Sequence, residues 1–366
     1  MSASVAVGAP GRANLIGEHT DYNDGFVLPV ALDLAVHVVG ETHEGNVILQ
    51  SRQQPGEVVV DPATGAGPDR GWGCYVTAVV RALLDHGLRP RGMRGVVDST
   101  VPVGAGLGSS AALAVAVAHA VLDRPPEPVQ VARICRFAEN AYVGIESGIM
   151  DQLASAAAVA GHALRIDCRD ETVSPVPMPP GLTVLVVHSG VARPLKRSPY
   201  NQRREECRRA TAALGVRSLR DASLDALEAA ACRMDDVFYR RARHVVTENR
   251  RVGEAARALA DGDTDRLREL FAASHESLAR DYEVSTPELD ALVDAAMRTE
   301  GVVAARLTGA GFGGCTVNLV QRDAAQDCAA AILRRYEERT GRRGRHWVSG
   351  AAPGAGKLRP AGLRRR

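Results

Sequence analysis

Aromatic residues are scarce in this chain of 366 residues, at 4%, and lysine is nearly absent, so arginine supplies almost all of the positive charge. The arginine excess reads as genome composition before function. Net charge is missing too: 45 basic and 43 acidic side chains leave only +2. Such a balance gives no strong field for nucleic acid or an anionic membrane, so neither is expected as a partner. Seven cysteines stand at 74, 135, 168, 207, 232, 315 and 328, with no C-x-x-C among them. A scattered, odd set argues against a disulfide framework and a zinc site, and fits a reducing compartment. No run approaches the roughly 18 apolar residues of a membrane span. Met1-Ser2-Ala3-Ser4-Val5 shows no basic or apolar targeting region, so no signal peptide is expected. A soluble, cytoplasmic protein of two domains is the expectation.

What the chain does have is polarity packed into one stretch, residues 9–23. Arg12, Asn14, Glu18, His19, Thr20 and Asp21 fall within ten positions there. They lie between Val5-Ala6-Val7 and Phe26–Leu32, two apolar runs that read as short strands. The stretch is therefore expected to be a loop that leaves and rejoins a sheet. A cation, two carboxylates and an imidazole on one loop suit a small polyhydroxylated ligand, since binding residues concentrate on loops carried by rigid sheets. A surface turn whose charges pair with each other is the alternative.

Further along, 34–39 and 46–50 read as strands and 72–86 as an amphipathic helix. A strand over 96–102 feeds Gly104-Ala105-Gly106-Leu107-Gly108-Ser109-Ser110, and a helix of Ala, Val and Leu follows over 111–122. Helices are expected at 129–142 and from 149, and a strand at 162–168. Pro175, Pro177, Pro179 and Pro180 mark a boundary between domains at about residue 180. The second half opens with a strand at 182–187 and continues with helices at 198–214, 223–232, 235–261, 263–280 and 286–299. Strands at 302–307 and 315–320, a helix at 323–340 and a strand near 345–348 close it. Residues 351–366, rich in Gly, Pro, Ala and Arg, are expected to be a disordered basic tail.

Three stretches carry chemistry. Strand, glycine-rich turn and helix at 96–122 is the arrangement in which backbone N–H groups and a helix dipole meet a phosphate. It is not a Walker A loop, because no lysine is present, and it lacks the third glycine of a dinucleotide fingerprint. Gly309-Ala310-Gly311-Phe312-Gly313-Gly314 matches G-x-G-x-x-G, but the following Cys315–Val320 reads as a strand, so the dinucleotide reading fails its context. A glycine loop between strands serves either close backbone approach or a hairpin with positive φ. Glu139 and Asp151 stand near helix ends; Asp151 is either a dipole-favoured residue or a functional carboxylate. One glutamate and one serine hydroxyl suffice for magnesium, which keeps water and phosphate ligands. His188 and His275 lack metal-like spacing, and Arg203-Arg204 and Arg240-Arg241 read as solvated helix faces.

Taken in order, Gly-Arg-x-Asn-Leu-Ile-Gly-Glu-His-Thr-Asp-Tyr-Asn at 11–23, Pro102-x-Gly-x-Gly-Leu-Gly-Ser-Ser-Ala-Ala112 and Leu307-Thr308-Gly-Ala-Gly-Phe-Gly-Gly-Cys315 resemble the GHMP small-molecule kinases. The first of these motifs is similar to that of the galactokinase branch. The resemblance implies an α+β, two-domain GHMP kinase fold. Its N-terminal half, 1–180, would be like ribosomal protein S5 domain 2, its C-terminal half, 181–350, α+β, and the active site would lie in the cleft between them. It implies ATP-dependent phosphorylation of the anomeric C1 hydroxyl of galactose, with Mg2+ as cofactor and galactose and ATP as small-molecule partners; a monomer is the expectation for the assembly. Glu18, His19, Thr20, Asp21, Gly148 and Tyr200 would bind the sugar. Ser51, Gly104, Ala105, Gly106, Leu107, Gly108, Ser109 and Ser110 would bind ATP, with Trp72 bordering the adenine. Ser110 and Glu139 would hold the metal, Asp151 would be the catalytic base, and Arg12 would lie near the transferring phosphoryl group.

Gly108, Ala114 and Gly190 depart from that branch's commoner serine, glutamate and asparagine. Two other readings stay open: a related kinase acting on N-acetylgalactosamine or arabinose, and a non-catalytic galactose and ATP sensor of the same fold.

Overall fold

The computed structural model describes residues 3–191 and 199–358. Residue 198 of one expected helix and residues 359–366 of the expected tail lie outside that range. The first half runs β1 (Ser4–Asn14), β2 (Phe26–Val27), β3 (Pro29–Thr42), β4 (Val47–Ser51), β5 (Glu57–Val60), α1 (Gly73–Asp85) and β6 (Met93–Ser99). It continues through α2 (Ser109–Val121), α3 (Pro128–Ala138), α4 (Met150–Ala157), β7 (His162–Asp167) and β8 (Thr172–Pro177). The second half runs β9 (Leu182–His188), α5 (Pro199–Leu214), α6 (Leu224–Ala230), α7 (Asp236–Asp261), α8 (Thr264–Arg280) and α9 (Pro287–Met297). β10 (Val302–Thr308), β11 (Cys315–Gln321), α10 (Ala325–Thr340), β12 (Arg345–Ser349) and β13 (Gly356–Lys357) complete it. Among the described residues no helix is long and apolar enough to cross a membrane.

A six-stranded sheet has the order β13-β1-β3-β6-β4-β5, a four-stranded sheet β10-β11-β9-β12, and a three-stranded sheet β2-β7-β8. The Ala and Val side chains of α2 are buried against the first sheet, in a core that also takes in Val184, Val186, Ala304 and Leu319 of the second half. The two halves therefore share one apolar interior.

Three expectations need correction. Residues 9–14 are not loop: β1 continues to Asn14, paired with β3, with a register shift between Pro10 and Arg12. Ladder hydrogen bonds override the polar composition there. The proline-rich stretch at 174–181 is not simply a boundary, because β8 takes up 172–177 and pairs with β7. It is an edge strand, where proline is tolerated. Finally, residues 351–358 are not a free tail: Gly356 and Lys357 pair with Gly8 and Val7 on the open edge of β1. One helix also ends sooner than its periodicity suggests, α3 giving way at Glu139–Val143 to a π-turn.

A buried charge cluster fixes the polar loop of the first half to the second half. Arg306 on β10 is fully buried; its Nη1 donates to the Leu15 carbonyl at 2.9 Å. Its Nη2 contacts the Glu18 carboxylate and lies 3.9 Å from Glu248 on α7. Glu18 Oε1 accepts from the Gly309 N–H at 3.0 Å. Glu248 accepts from the Gly17 N–H at 2.9 Å, from Ser274 at 2.6 Å and from Arg251 at 2.6 Å. Burial works against its ionisation, but Arg251, His244 and Arg306 together hold the Glu248 carboxyl down at about 2. Burial pushes the His244 imidazole down to about 4, so it stays neutral near pH 7 while Nε2 meets the Glu18 carbonyl at 3.1 Å.

Removing the shared cation leaves two buried carboxylates facing each other, a change that costs roughly 3–5 kcal/mol in comparable sites. Arg306→Met is expected to lower the unfolding free energy by about that amount in urea titration. A loss under ~1 kcal/mol, the size expected of an exposed pair, would contradict the buried-cation account.

Candidate active site

The loop from β6 into α2 curls because Gly104, Gly106 and Gly108 all take positive φ, between 75 and 78°. Gly108, at φ 75°, is the N-cap of α2. A side chain at that φ is strained, and glycine avoids the strain. The loop points the N-terminus of α2 into a cleft of about 640 Å³ that Gly104, Gly106, Gly108, Ser109 and Ser110 line. The exposed N–H groups and dipole of a helix start suit an anion. Ala105 and Leu107 do not line it: their side chains are buried in the core, so any contribution comes from their backbone.

Arg12 ties this loop to α4. Its backbone N–H donates to the Leu107 carbonyl at 2.9 Å and its Nη1 to the Gly106 carbonyl at 2.6 Å. Its Nε and Nη2 grip Asp151 in a fork, at 2.8 Å to Oδ1 and 2.6 Å to Oδ2. Asp151 stands in the first turn of α4 and lines the cleft beside the loop. The helix start and the guanidinium both present N–H donors and positive charge on that side of the cleft.

Glu139 opens the π-turn after α3, and such turns recur at functional sites. The Ser110 hydroxyl meets its Oε1 at 3.2 Å; Ser147 and Gln152 donate to Oε2 at 2.7 and 2.8 Å. Burial pushes this carboxyl up, and the nearby Asp151 adds to the shift against the pull of Ser147. Gln152 Oε1 is buried with no hydrogen-bond partner. Among the described residues no group of three His, Cys, Asp or Glu side chains could hold a metal by itself.

At the other end, Glu18, His19, Asp21, Gly148 and Tyr200 line the same cleft. Asp21 sits against Gly148 so closely that a Cβ at 148 would fall 1.9 Å from its Oδ2. Burial, helped by repulsion from Asp151, raises the Asp21 carboxyl to about 6 despite Arg12 and Arg204. His19 takes a positive φ of 64°, and its Nδ1 lies 2.8 Å from the Tyr22 hydroxyl, which lies 2.9 Å from that of Tyr282. Thr20 is a correction. It does not line the cleft: its hydroxyl lies 2.8 Å from the Gly17 carbonyl and 2.6 Å from that of Phe26, closing the turn, and its side chain is fully buried. Trp72, Tyr75, Val97 and Leu113 add aromatic and apolar surface to the lining of the cleft, and Ser51 lines it as well.

Several cleft residues escaped the sequence reading. Gly309 and Ala310 line it, so the second glycine motif serves close approach as well as the turn between β10 and β11. Ser147 lines the cleft too and carries no pattern of its own, although it precedes the legible Gly148–Asp151. The arginine pairs were misread as solvated. Arg203 and Arg241 are buried, each bonded to Glu206, and Arg241 also pairs with Glu283. Glu206 lies one turn from Arg203 on α5, within the reach of local spacing, whereas Arg241 on α7 meets Glu206 and Glu283 from other parts of the chain.

Comparison with known proteins agrees with this geometry. The galactokinase galactose-binding signature matches residues 2–42, the GHMP kinases N terminal domain 74–159 and the GHMP kinases C terminal domain 255–338. A galactokinase of Roseiflexus sp. (strain RS-1) is 44% identical over 363 residues, 97% of this chain and 93% of that protein. The crystal structure of Lactococcus lactis galactokinase complexed with galactose is 32% identical, with a TM-score of 0.92 over 97% of this chain and 95% of that one. A mevalonate kinase, 18% identical with a TM-score of 0.66 over 94% of this chain and 98% of its own, shares the fold. The α+β, two-lobed architecture, the phosphate-type loop facing the sugar-type loop, and these matches place the chain in the galactokinase family of GHMP kinases.

Proposed function

We propose that this protein transfers the γ-phosphoryl group of ATP to the anomeric C1 hydroxyl of D-galactose, giving galactose 1-phosphate and ADP. The observation that carries the reading is the forked Arg12–Asp151 pair, set between the phosphate-type loop and the sugar-type loop. Phosphoryl transfer asks the protein mainly to hold an alcohol in line and to place positive charge around the phosphoryl oxygens. Asp151 accepts the proton of the C1 hydroxyl as that oxygen bonds to the γ-phosphorus and the bond to ADP breaks. Arg12, fixed to the loop through Gly106, stabilises charge on the group in transit. The backbone of 104–110 and the start of α2 cradle the phosphates, with the base against Trp72 and Tyr75.

Magnesium fits the donor set. Glu139 and Ser110 are hard oxygen donors 3.2 Å apart at the phosphate end, and a buried carboxyl pushed upward is one that a cation would hold ionised. With no cluster of three acidic, histidine or cysteine ligands among the described residues, the ion would complete its shell from phosphates and water, as magnesium does. Bound there, it would neutralise charge on the ATP phosphates. Asp21, Glu18, His19, Gly148 and Tyr200 are the sugar-holding groups in this reading, and the protein acts as a cytoplasmic monomer.

A sugar panel with ATP, read by ADP release, should give its highest rate with galactose. A large preference for N-acetylgalactosamine or arabinose would overturn the substrate, and saturable binding without turnover would favour a sensor. Asp151→Asn is expected to cut kcat by roughly 10²–10⁴, while calorimetry finds nucleotide binding near that of the parent protein. Near-normal turnover would remove Asp151 as the base. The third test is pH. The Asp21 carboxyl titrates at about 6, so it is ionised and able to accept sugar hydroxyls above that pH and is neutralised below it. The galactose KM should be flat above pH 7 and rise roughly tenfold by pH 5. In Asp21→Asn the KM should be high throughout and lose that rise.

A further inference from the structure

α5 carries Tyr200 and Arg204 four residues apart, so both side chains leave the helix on one face. Tyr200 lines the cleft, its ring 5.7 Å from that of His19 and 5.3 Å from that of Tyr22. Arg204 crosses to the first half of the chain. Its Nη1 donates to the backbone carbonyl of Glu146 and lies 3.2 Å from the Glu146 carboxylate, and its guanidinium lies 5.5 Å from the centre of the Tyr22 ring. The Glu146 side chain is 77% exposed, so the carboxylate contact adds little by itself. The carbonyl is the fixed point.

Both ends of this bridge are anchored. On α5, the neighbouring Arg203 is buried, donating to the Tyr282 carbonyl at 2.6 Å and to Glu206 at 2.9 Å. Across the cleft, Ser147 takes hold of Asn140 Oδ1 through its N–H at 3.1 Å and donates its hydroxyl to Glu139 at 2.7 Å. Gly148, one residue on, lies against Asp21. One short segment thus touches the carboxylate at the phosphate end and the carboxylate at the sugar end.

We propose that Arg204 is a positioning residue that couples the two substrate sites. By holding the 146–147 peptide, it sets Ser147 against Glu139 and Gly148 against Asp21 at the same time. The inference rests on the proposed function, since it takes galactose and magnesium–nucleotide as the two ligands. Coupling requires that each ligand prefer the held segment to a released one. Galactose does so through Asp21, Gly148 and Tyr200, and the cation-loaded nucleotide through Glu139. The effect is then reciprocal: either ligand tightens the other by the same factor.

Titration calorimetry of galactose on the full chain, with and without Mg2+ and a non-hydrolysable ATP analogue, tests this. The parent protein should bind galactose about 5- to 20-fold more tightly with the analogue present, within the usual range of such couplings. Arg204→Met should bring that ratio to within about twofold of unity. Arg204→Lys should recover part of it, because an ammonium cannot match the guanidinium fork. Glu146→Ala, which keeps the carbonyl, should retain most of the coupling. Arg208→Met, exposed on the same helix and paired with Glu205, should behave as the parent. A parent-like ratio in a folded Arg204→Met overturns the inference. So does a parent protein that binds both ligands without coupling. A parent protein that binds no galactose at all overturns the substrate reading, and this inference falls with it.

Discussion

One guanidinium, that of Arg12, holds three separately built elements in register. It stands on β1, bonds the phosphate-type loop at Gly106 and grips Asp151 on α4. The side chain is only 8% exposed, and hydrogen bonds so shielded from water are stronger and more directional than the same bonds at a surface. Its aim comes from the strand: the ladder between β1 and β3 slips register between Pro10 and Arg12, and an irregularity of this kind re-aims a side chain. A strand of regular register would send the residue at 12 elsewhere. The spacing between the phosphate-type loop and Asp151 thus depends on a local fault in an otherwise regular sheet.

The second constraint is the burial of charge between the halves. Arg306 serves two carboxylates that belong to different parts of the chain, Glu18 in the polar loop and Glu248 on α7. Such clusters are weak sources of net stability, because desolvation consumes most of the attraction. What they do supply is a penalty for misalignment. If the polar loop shifted, Glu18 would lose both the Gly309 N–H and the Arg306 cation while remaining buried. The penalty falls on the loop whose next residues, His19 and Asp21, face the cleft.

How much of this was readable in the sequence follows from the range over which each residue finds its partners. α2, α7 and α8 follow from spacing, and β9 and β11 from apolar runs between breakers, because a neighbouring face decides them. β1 was cut short because polar residues inside a ladder look like loop, and β8 was missed because edge-strand prolines look like a linker. Within the site, Arg12, Asp21, Gly108, Glu139 and Asp151 stood out, since each lies in a dense or unusual local pattern. Thr20 lay in the same pattern, yet its side chain turns inward to close the turn. Residue density says where a site is, not which way each side chain points. Arg306 and Arg204 were invisible for the opposite reason: they meet Glu18 and Glu146 across 288 and 58 positions of sequence.

Four carboxylates line the cleft, and beside Glu18, which Arg306 holds, the other three differ in their surroundings. Asp151 has both oxygens on one guanidinium. Asp21 feels Arg12 and Arg204 more weakly than it feels its own burial, so its carboxyl is raised. Glu139 is raised by burial as well, and hydroxyl and amide donors surround it rather than a side-chain cation. On the proposed reading these surroundings would suit three tasks: a proton acceptor held in place by arginine, an acid pressed against glycine that would meet uncharged hydroxyl groups, and an acid among hydroxyl and amide donors that would take a hard cation arriving with an anionic ligand. Groups of one chemical type are pushed into different tasks by what surrounds them.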